Sequence, residues 1–165
     1  MSKFVTFITT GLIITSVIAD EAPRDFGFQP LEIFEFKKGT SRLIVDDLNG
    51  DGLDDILFAN NHVSRLEILF RKPDVEATED LPELEERFDD KGIIVDQGLK
   101  AVRVNDLNGD GRKDIVTFGT AIGLQIRYQQ EDGSFAEPER IFVKDASMVT
   151  TIQLGDLNGD GLMDI

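Results

Sequence analysis

The sequence predicts an all-β protein made of repeated four-stranded antiparallel sheets, and three observations lead to this fold class. A ten-residue segment occurs three times, starting at residues 47, 106 and 156, which are 59 and 50 residues apart. Short apolar and partly β-branched runs adjoin these copies. Two further strands fit between successive copies, which makes four short strands in about 50 residues, the size of a β-propeller blade.

The first 19 residues have the pattern of a secretory signal peptide. Lys3 is followed by the uncharged apolar stretch from Phe4 to Ile18, and Ala19 precedes Asp20. A membrane anchor is the alternative, but such a stretch in a helix rises about 22 Å, less than the roughly 30 Å of a bilayer core. We expect cleavage near Ala19, no membrane insertion afterwards, and a secreted, cell-surface or periplasmic protein. Residues 20–41 form an N-terminal segment without a recognisable motif.

The three copies place oxygen-bearing side chains at fixed positions. They read DLNGDGLDDI from Asp47, DLNGDGRKDI from Asp106 and DLNGDGLMDI from Asp156. Position 6 is glycine in each copy, where a sharp turn needs a residue that tolerates positive φ. Three Asp/Asn/Gly turns without metal are the alternative. A turn requires only two or three such residues, whereas these loops repeat them at positions 1, 3, 5, 6 and 9 in all three copies.

This spacing predicts a calcium site in each loop. Calcium takes six to eight oxygen ligands at about 2.3–2.6 Å in a flexible shell, whereas magnesium demands a tighter octahedron. Positions 1, 3, 5 and 9 offer side-chain oxygens, and position 7 offers its backbone carbonyl. The predicted ligands are Asp47, Asn49, Asp51, Leu53 and Asp55; Asp106, Asn108, Asp110, Arg112 and Asp114; and Asp156, Asn158, Asp160, Leu162 and Asp164.

The surroundings of the loops exclude other calcium-binding modules. An EF-hand needs a bidentate Glu at position 12, but this position holds Phe58 and Thr117. Dockerin loops are each followed by a helix at a far shorter spacing. Here the following runs, which start at Ile56 and Ile115, are short and apolar and predict buried strands. The aspartate-rich repeats of thrombospondins need cysteine, which this chain lacks.

The remaining strands follow from apolar runs and alternation. Runs at 42–45, 101–104 and 151–154 lead into the loops, and segments 65–70 and 124–128 alternate with a period of two. Residues 131–135 predict a hairpin turn, and residues 140–143 predict a fourth strand.

An acidic insertion accounts for the greater length of the first repeat. It covers residues 73–91, where we expect Asp80 to cap a short helix that starts near Pro82. Leu84 and Phe88 would then share one helical face. An acidic docking loop is one interpretation; a solvated insertion at a blade edge is the other and the one we prefer.

Composition narrows the range of partners. With 32 acidic and 17 basic residues the formal net charge is −15, which argues against nucleic acid and against anionic membrane surfaces. The chain has no cysteine and one histidine, which excludes disulfides, thiolate metal sites and multi-histidine sites. Hydrophobic residues make up 41%, enough for a packed core.

From residue 42 onward the chain resembles the FG-GAP/VCBS repeat proteins, whose β-propellers include the head of integrin α-subunits. The resemblance is carried by the three DxNxDGxxD loops and by the hairpin Gln130 to Phe135, which is similar to the family's Gly-Asp-Gly-Thr-Phe. It implies a multi-bladed propeller with calcium in loops between the first two strands of several blades. The first repeat departs from the pattern, because the acidic insertion replaces its hairpin.

These predictions divide the chain after the signal peptide and the N-terminal segment into three parts. They are a first blade over 42–99 with the insertion 73–91, a second blade over 100–149, and the start of a third blade over 150–165. Residues 31–165 supply roughly two and a half blades, fewer than the four of the smallest closed propellers. We therefore expect a fragment of a longer protein, with closure through self-association as the alternative.

Two classes of function fit the sequence. In the first, the chain is a secreted calcium-binding module that presents a surface to a protein or carbohydrate ligand, and its aspartates are structural. In the second, the propeller belongs to a secreted lyase or hydrolase. The chain shows no repeated Tyr, Arg or His arrangement suited to acid–base chemistry, which favours the binding module and predicts no catalytic residue.

Overall fold

The computed structural model describes residues 8–9, 12–13, 35–36, 38–73, 84–119, 123–144 and 150–165. The chain divides into two compact units, Met1–Ile33 and Phe34–Ile165. In the first unit, β1 (Ile8–Thr9) pairs with β2 (Leu12–Ile13) in antiparallel fashion. The predicted cleavage point at Ala19 lies outside the described residues. None of the helices described is long and apolar enough to span a membrane.

The second unit begins with a four-stranded antiparallel sheet, here called blade 1. Its neighbouring strands are also neighbours in the chain. They are β3 (Thr40–Asp46), β4 (Asp55–Asn60), β5 (Arg65–Arg71) and β6 (Phe88–Ile94). The predicted first three strands are therefore confirmed, with β4 starting at the last aspartate of the loop.

A second sheet of the same topology, blade 2, follows directly. Its strands are β7 (Leu99–Asn105), β8 (Asp114–Gly119), β9 (Gly123–Arg127) and β10 (Glu139–Ile141). The predicted hairpin lies between β9 and β10, where the Gln130 N–H donates to the Ser134 carbonyl at 2.8 Å. The two sheets confirm the all-β fold class and the four-stranded antiparallel blades.

The main core lies between the two blades rather than inside either one. Leu57, Leu66 and Ile68 of blade 1 pack in one buried cluster with Val102 and Ile115 of blade 2. The opposite face of β4 places Ile56 and Phe58 in a separate cluster. All six residues of β4 and all six of β8 are buried because each strand is covered on both faces. Stacking of blades therefore supplies the apolar burial that a single sheet lacks.

The acidic insertion is shorter than the sequence predicted. The helix present in its described part is α1, a single turn over Leu84–Arg87, and Asp80 and Pro82 lie outside the described residues. Phe88 is not on the helical face predicted for it but is the first residue of β6, buried at 6% exposure against Ile56, Phe58 and Leu69. Tertiary contact with this apolar cluster outweighs the local i, i+4 pattern, and the strand takes the residues from Phe88 onward.

The third repeat does not form its predicted first strand. Residues 151–154 are not in a strand, and Gly155 and Asp164 form an isolated antiparallel bridge. The physical reason is that a strand needs a hydrogen-bonded partner strand, and among the described residues none pairs with 151–154. Ile152 is nevertheless buried in a cluster with residues of blade 2 such as Ala101 and Phe118.

Candidate functional site

The three repeated loops have nearly the same backbone, and the first two connect the first and second strands of their blades. They are called loop 1 (residues 47–55), loop 2 (residues 106–114) and loop 3 (residues 156–164). Gly52 at position 6 has φ of 86°, as the sequence predicted for a sharp turn. Gly50 at position 4 is also left-handed, with φ of 79°, and the two other loops repeat both angles within a few degrees.

The aspartate at position 1 closes each loop through backbone N–H groups. In loop 1, Asp47 Oδ1 accepts from the Gly50 N–H at 2.7 Å, and Oδ2 accepts from the Gly52 N–H at 2.9 Å. Burial acts to raise the pKa of Asp47, but the N–H groups of Gly52, Gly50 and Asp51 outweigh burial and hold the pKa below its ordinary value. Asp47 is therefore ionised at neutral pH and is both a loop clamp and an available anionic oxygen donor.

Positions 3 and 5 form the exposed side of the loop. The Asn49 amide donates to Asp51 Oδ2 at 2.9 Å, and the Leu53 N–H donates to Asp51 Oδ1 at 2.8 Å. Loops 2 and 3 repeat both contacts within 0.1 Å. The predicted ligands at positions 1, 3 and 5 are therefore brought together on one turn in each loop.

Position 9 differs from the other predicted ligand positions because its carboxylate faces the interior. Asp55 is fully buried, and its two oxygens accept from the Leu48 N–H at 2.9 Å and the Arg71 N–H at 2.8 Å. Burial raises the pKa of Asp55, and the negative charges of Asp51 and Asp47 add to the shift, although the two N–H groups oppose it. Asp55 thus ties the loop to β4 and to the end of β5.

The same tie occurs in loop 2 and is reduced in loop 3. Asp114 accepts from the N–H groups of Leu107 at 3.0 Å and Gln129 at 2.9 Å. Its pKa is raised by burial, with Asp110 and Asp106 adding to the shift. In loop 3, Asp164 accepts from the Leu157 N–H at 2.8 Å and forms an isolated bridge with Gly155.

Position 7, predicted to offer only its carbonyl, carries side chains with different roles. In loop 2 the Arg112 guanidinium lies 2.5 Å from Asp110 Oδ2, and its Nε donates to the Gln129 carbonyl at 3.0 Å. In loop 3 the Leu162 side chain packs against Gly109 of loop 2, 3.3 Å from the place that a Cβ there would occupy. Arg112 therefore puts a positive charge on a predicted ligand of its own loop, a role that its polar side chain at this position could have suggested.

Gln129, which links the two blades, was not among the site residues predicted from the sequence. Gln129 is 5% exposed, and its Nε2 donates to the Leu48 carbonyl of loop 1 at 3.0 Å. The only signal in the sequence is a polar residue directly after the alternating strand 124–128, which is too weak to assign a partner 81 residues away.

The donor chemistry of the loops fits a hard cation. Each loop presents three carboxylates, an amide oxygen and a backbone carbonyl, the ligand types that calcium prefers. In loop 1 the carboxylates of Asp47, Asp51 and Asp55 all accept backbone N–H groups of the same short turn. In the part of the chain that the structure describes, no group of three or more His, Cys, Asp and Glu side chains is arranged to hold a metal ion. The carboxylates instead accept backbone N–H groups, so the ligand assignments stay a prediction.

A comparison with protein families bears on the second half of the chain. A family model described as FG-GAP-like repeat matches residues 101–165, a span that contains most of blade 2 and loops 2 and 3. Neither the curated proteins nor the solved structures gave a match to the chain. Blade 1 and loop 1 lie outside the matched span but repeat the same sheet topology and loop contacts. The resemblance predicted from the DxNxDGxxD loops is thus confirmed over residues 101–165, which are similar to FG-GAP-like repeats.

Proposed function

We propose that loops 1, 2 and 3 bind calcium and that the chain is a secreted, calcium-stabilised β-propeller-like repeat module. The observation that carries this proposal is the turn of loop 1, on which Asp47 and Asp51 accept neighbouring backbone N–H groups and buried Asp55 accepts the Leu48 N–H. Three carboxylates held together without a cation repel each other, and a divalent ion removes this repulsion. Loop 2 supports the same argument through Asp106, Asp110 and Asp114.

The ligands would be the same positions in each loop. The carboxylates at positions 1 and 5 are exposed or half-buried and can turn toward an ion. The carboxylate at position 9 keeps its place in loops 1 and 2, because two backbone N–H groups hold it. Calcium when bound supplies positive charge and a flexible oxygen shell, which suits such a loop better than the strict octahedron of magnesium. Asn49, Asn108 and Asn158 would add an amide oxygen.

The role that we propose for the ion is structural and the role of the module is binding. Loops 1 and 2 each join the first strand of their blade to the second, so an ion in either loop would stabilise the blade to which that loop belongs. The stiffened blades would present their connecting loops to an extracellular protein or carbohydrate. We propose no catalytic residue in this chain.

Calorimetric titration tests the calcium sites. The mature chain should release or take up heat with calcium, and Asp51→Ala or Asp110→Ala should each remove about one site. Asp54→Ala is the matched control, because Asp54 is an exposed carboxylate of loop 1 at position 8, outside the predicted ligand set. Affinities of about 10⁻⁴–10⁻³ M would be ordinary for an extracellular module. A folded chain without calcium binding contradicts the proposal.

Thermal unfolding separates a structural ion from a catalytic one. An ion that binds only the folded state adds RT ln(1 + [L]/Kd) to the free energy of unfolding, about 2.7 kcal/mol per site at a hundredfold excess over Kd. Circular dichroism should therefore show the highest Tm with calcium, a lower Tm with magnesium and the lowest with chelator. Identical curves under the three conditions would contradict the structural role.

Export is tested separately. Amino-terminal sequencing of material secreted by cells that express the full chain should begin at or near Asp20. A full-length chain retained in the cytoplasm would contradict the proposed signal peptide without affecting the calcium proposal.

A further inference from the structure

Loops 1 and 2 belong to different blades but are joined by one buried side chain. Gln129 follows β9 in blade 2, and its Nε2 donates at 3.0 Å to the carbonyl of Leu48, the residue at position 2 of loop 1. Both residues are buried, with exposures of 5% and 1%. A buried hydrogen bond of this kind is hard to replace by water, so the peptide at Leu48 and the Gln129 side chain are held in one relative position.

The same two residues also contact the position 9 aspartates. The Leu48 N–H donates to Asp55 Oδ2 at 2.9 Å, and the Gln129 N–H donates to Asp114 Oδ1 at 2.9 Å. A continuous series of hydrogen bonds therefore runs from Asp55 through Leu48 and Gln129 to Asp114. Its two ends are the buried predicted ligands of two different loops.

Two other contacts near the loops are less suited to connect them, because one is a partly exposed ion pair and the other involves loop 2 alone. Lys113 of loop 2 lies 3.1 Å from Asp46, beside loop 1, but both side chains are about one third exposed. Exposed ion pairs contribute little to stability and are screened by salt. Arg112 donates to the Gln129 carbonyl at 3.0 Å and so holds Gln129 from the side of loop 2. Gln129 is thus the contact best placed to carry an effect from one loop to the other.

We propose that Gln129 is a positioning residue that makes calcium binding at loops 1 and 2 cooperative. The N–H groups of Leu48 and Arg71 already hold Asp55, and an ion in loop 1 would stabilise this arrangement further, so that the Leu48 carbonyl stays in place for Gln129. Gln129 in turn keeps its backbone N–H on Asp114, which prepares loop 2. The inference rests on the proposed calcium sites. Each loop should raise the affinity of the other about fivefold, the factor that corresponds to one net hydrogen bond of about 1 kcal/mol.

A measurement without metal tests the link itself. Amide hydrogen exchange is followed in the chelated full chain, and Gln129→Met removes the Nε2 donor at similar volume while keeping the backbone N–H on Asp114. The exchange protection of Leu48 and Gly52 in loop 1 should fall about fivefold. Gln130→Met, at the exposed neighbouring position, is the control and should leave both amides unchanged. Equal protection in Gln129→Met and the wild-type chain would overturn the inference.

A calcium titration tests the cooperativity and does not depend on whether Gln129→Met folds. The amide signals of Gly52 and Gly111 report loops 1 and 2 separately, and Asp51→Ala disables loop 1 through an exposed side chain. Loop 2 should then bind calcium about fivefold more weakly than in the wild-type chain. By linkage, Asp110→Ala should weaken loop 1 by the same factor.

The outcomes separate the two proposals. If neither loop of the folded wild-type chain binds calcium, the calcium proposal fails and this inference fails with it. If both loops bind and Asp51→Ala leaves the affinity of loop 2 unchanged, the calcium sites stand and the coupling is overturned. In the Gln129→Met chain the effect of Asp51→Ala on loop 2 should disappear, and an undiminished effect would also overturn the assignment to Gln129.

Discussion

Each loop contains aspartates in two different surroundings, although sequence spacing gives them the same predicted role. Asp51 at position 5 is exposed, while Asp55 at position 9 is fully buried and accepts two backbone N–H groups. The first kind can move toward an ion at little cost. The second kind already stabilises the loop, so removing it affects the fold as well as the ion.

We therefore expect Asp55→Ala and Asp51→Ala to differ when calcium is absent. In Asp55→Ala the N–H groups of Leu48 and Arg71 lose their acceptor, which should lower the free energy of unfolding by about 2 kcal/mol. Asp51→Ala should change it by less than about 0.5 kcal/mol because the side chain is exposed. Urea unfolding of the chelated proteins measures both values. Equal losses would show that the burial of Asp55 does not matter for stability.

Arg112 should make loop 2 a weaker calcium site than loop 1. Its guanidinium lies 2.5 Å from Asp110, a predicted ligand, while loops 1 and 3 have Leu53 and Leu162 at the same position. An ion must displace this pair, and exposed ion pairs contribute about 0.2–1 kcal/mol. Arg112→Leu should therefore raise the calcium affinity of loop 2 about two- to fivefold, as measured by a calcium titration at constant salt.

The reverse exchange is the control for Arg112. Leu53→Arg should weaken loop 1 by a similar factor and leave loop 2 near its own affinity. If Arg112→Leu does not change the calcium affinity of loop 2, separating the guanidinium from Asp110 requires no free energy and the expectation is wrong.

At the level of elements, the hairpin between β8 and β9 depends on a glycine at the edge of a strand. Gly123 begins β9 with φ of 73°, and a Cβ there would lie 2.9 Å from the Ile141 carbonyl oxygen of β10. Because this oxygen belongs to the backbone, a larger side chain can be accommodated only if β10 moves away from β9. The short strand β10 pairs through three residues and has few contacts to resist this movement.

Gly123→Ala should therefore destabilise blade 2 more than the same substitution at a left-handed glycine that has no neighbouring atom within reach. The matched control is Gly98→Ala, whose φ of 78° is similar but whose Cβ would meet nothing within 4 Å. The control should lose about 1–2 kcal/mol for the left-handed backbone. Gly123→Ala should lose about 1 kcal/mol more, with faster hydrogen exchange in β10. Equal losses measured by urea unfolding would contradict the crowding.

For the whole molecule, the burial of equivalent positions depends on which blade lies next to them. Leu43 of β3 is 52% exposed, whereas Val102 of β7 and Ile152 of the third repeat, which occupy similar places before their loops, are 1% and 9% exposed. At position 2 of the loops, Leu48 is 1% exposed and Leu157 is 84% exposed. Each blade thus covers apolar residues of its neighbours, and the two ends of the array present the same kinds of residue to solvent.

We expect this 165-residue chain to associate through these end faces. Burying Leu43, Val45 and Leu157 against another copy would remove apolar surface from water, although the net charge of −15 opposes association at low salt. Sedimentation velocity at about 0.15 M salt should show a mass that rises with protein concentration. Leu43→Ser should reduce the rise, and Val63→Ser, at an exposed turn position, should not. A monomer at all concentrations would contradict the expectation.

Periodicity and repetition in the sequence were sufficient to predict those elements that depend only on residues close together in the chain. The alternating strands 65–70 and 124–128, the hairpin at 131–135 and the left-handed Gly52 all follow from short-range rules of side-chain alternation and turn geometry, and all are confirmed. The first strand of the third repeat and the helical position of Phe88 were wrong. A strand forms only where a partner strand lies beside it, and Phe88 is in a strand because it packs into an apolar cluster. Both conditions depend on residues far away in the chain, so the local pattern does not predict them.

The sequence by itself determined the repeat, the all-β class and the kinds of atoms that each loop offers, because these depend on residue type and spacing. Only the tertiary structure decided that Asp55 and Asp114 are buried while Asp51 and Asp110 are exposed, and that Gln129 contacts Leu48. Burial and contacts over 81 residues arise when one blade packs on another, and equal spacing in the chain cannot distinguish a residue that faces the next blade from one that faces water.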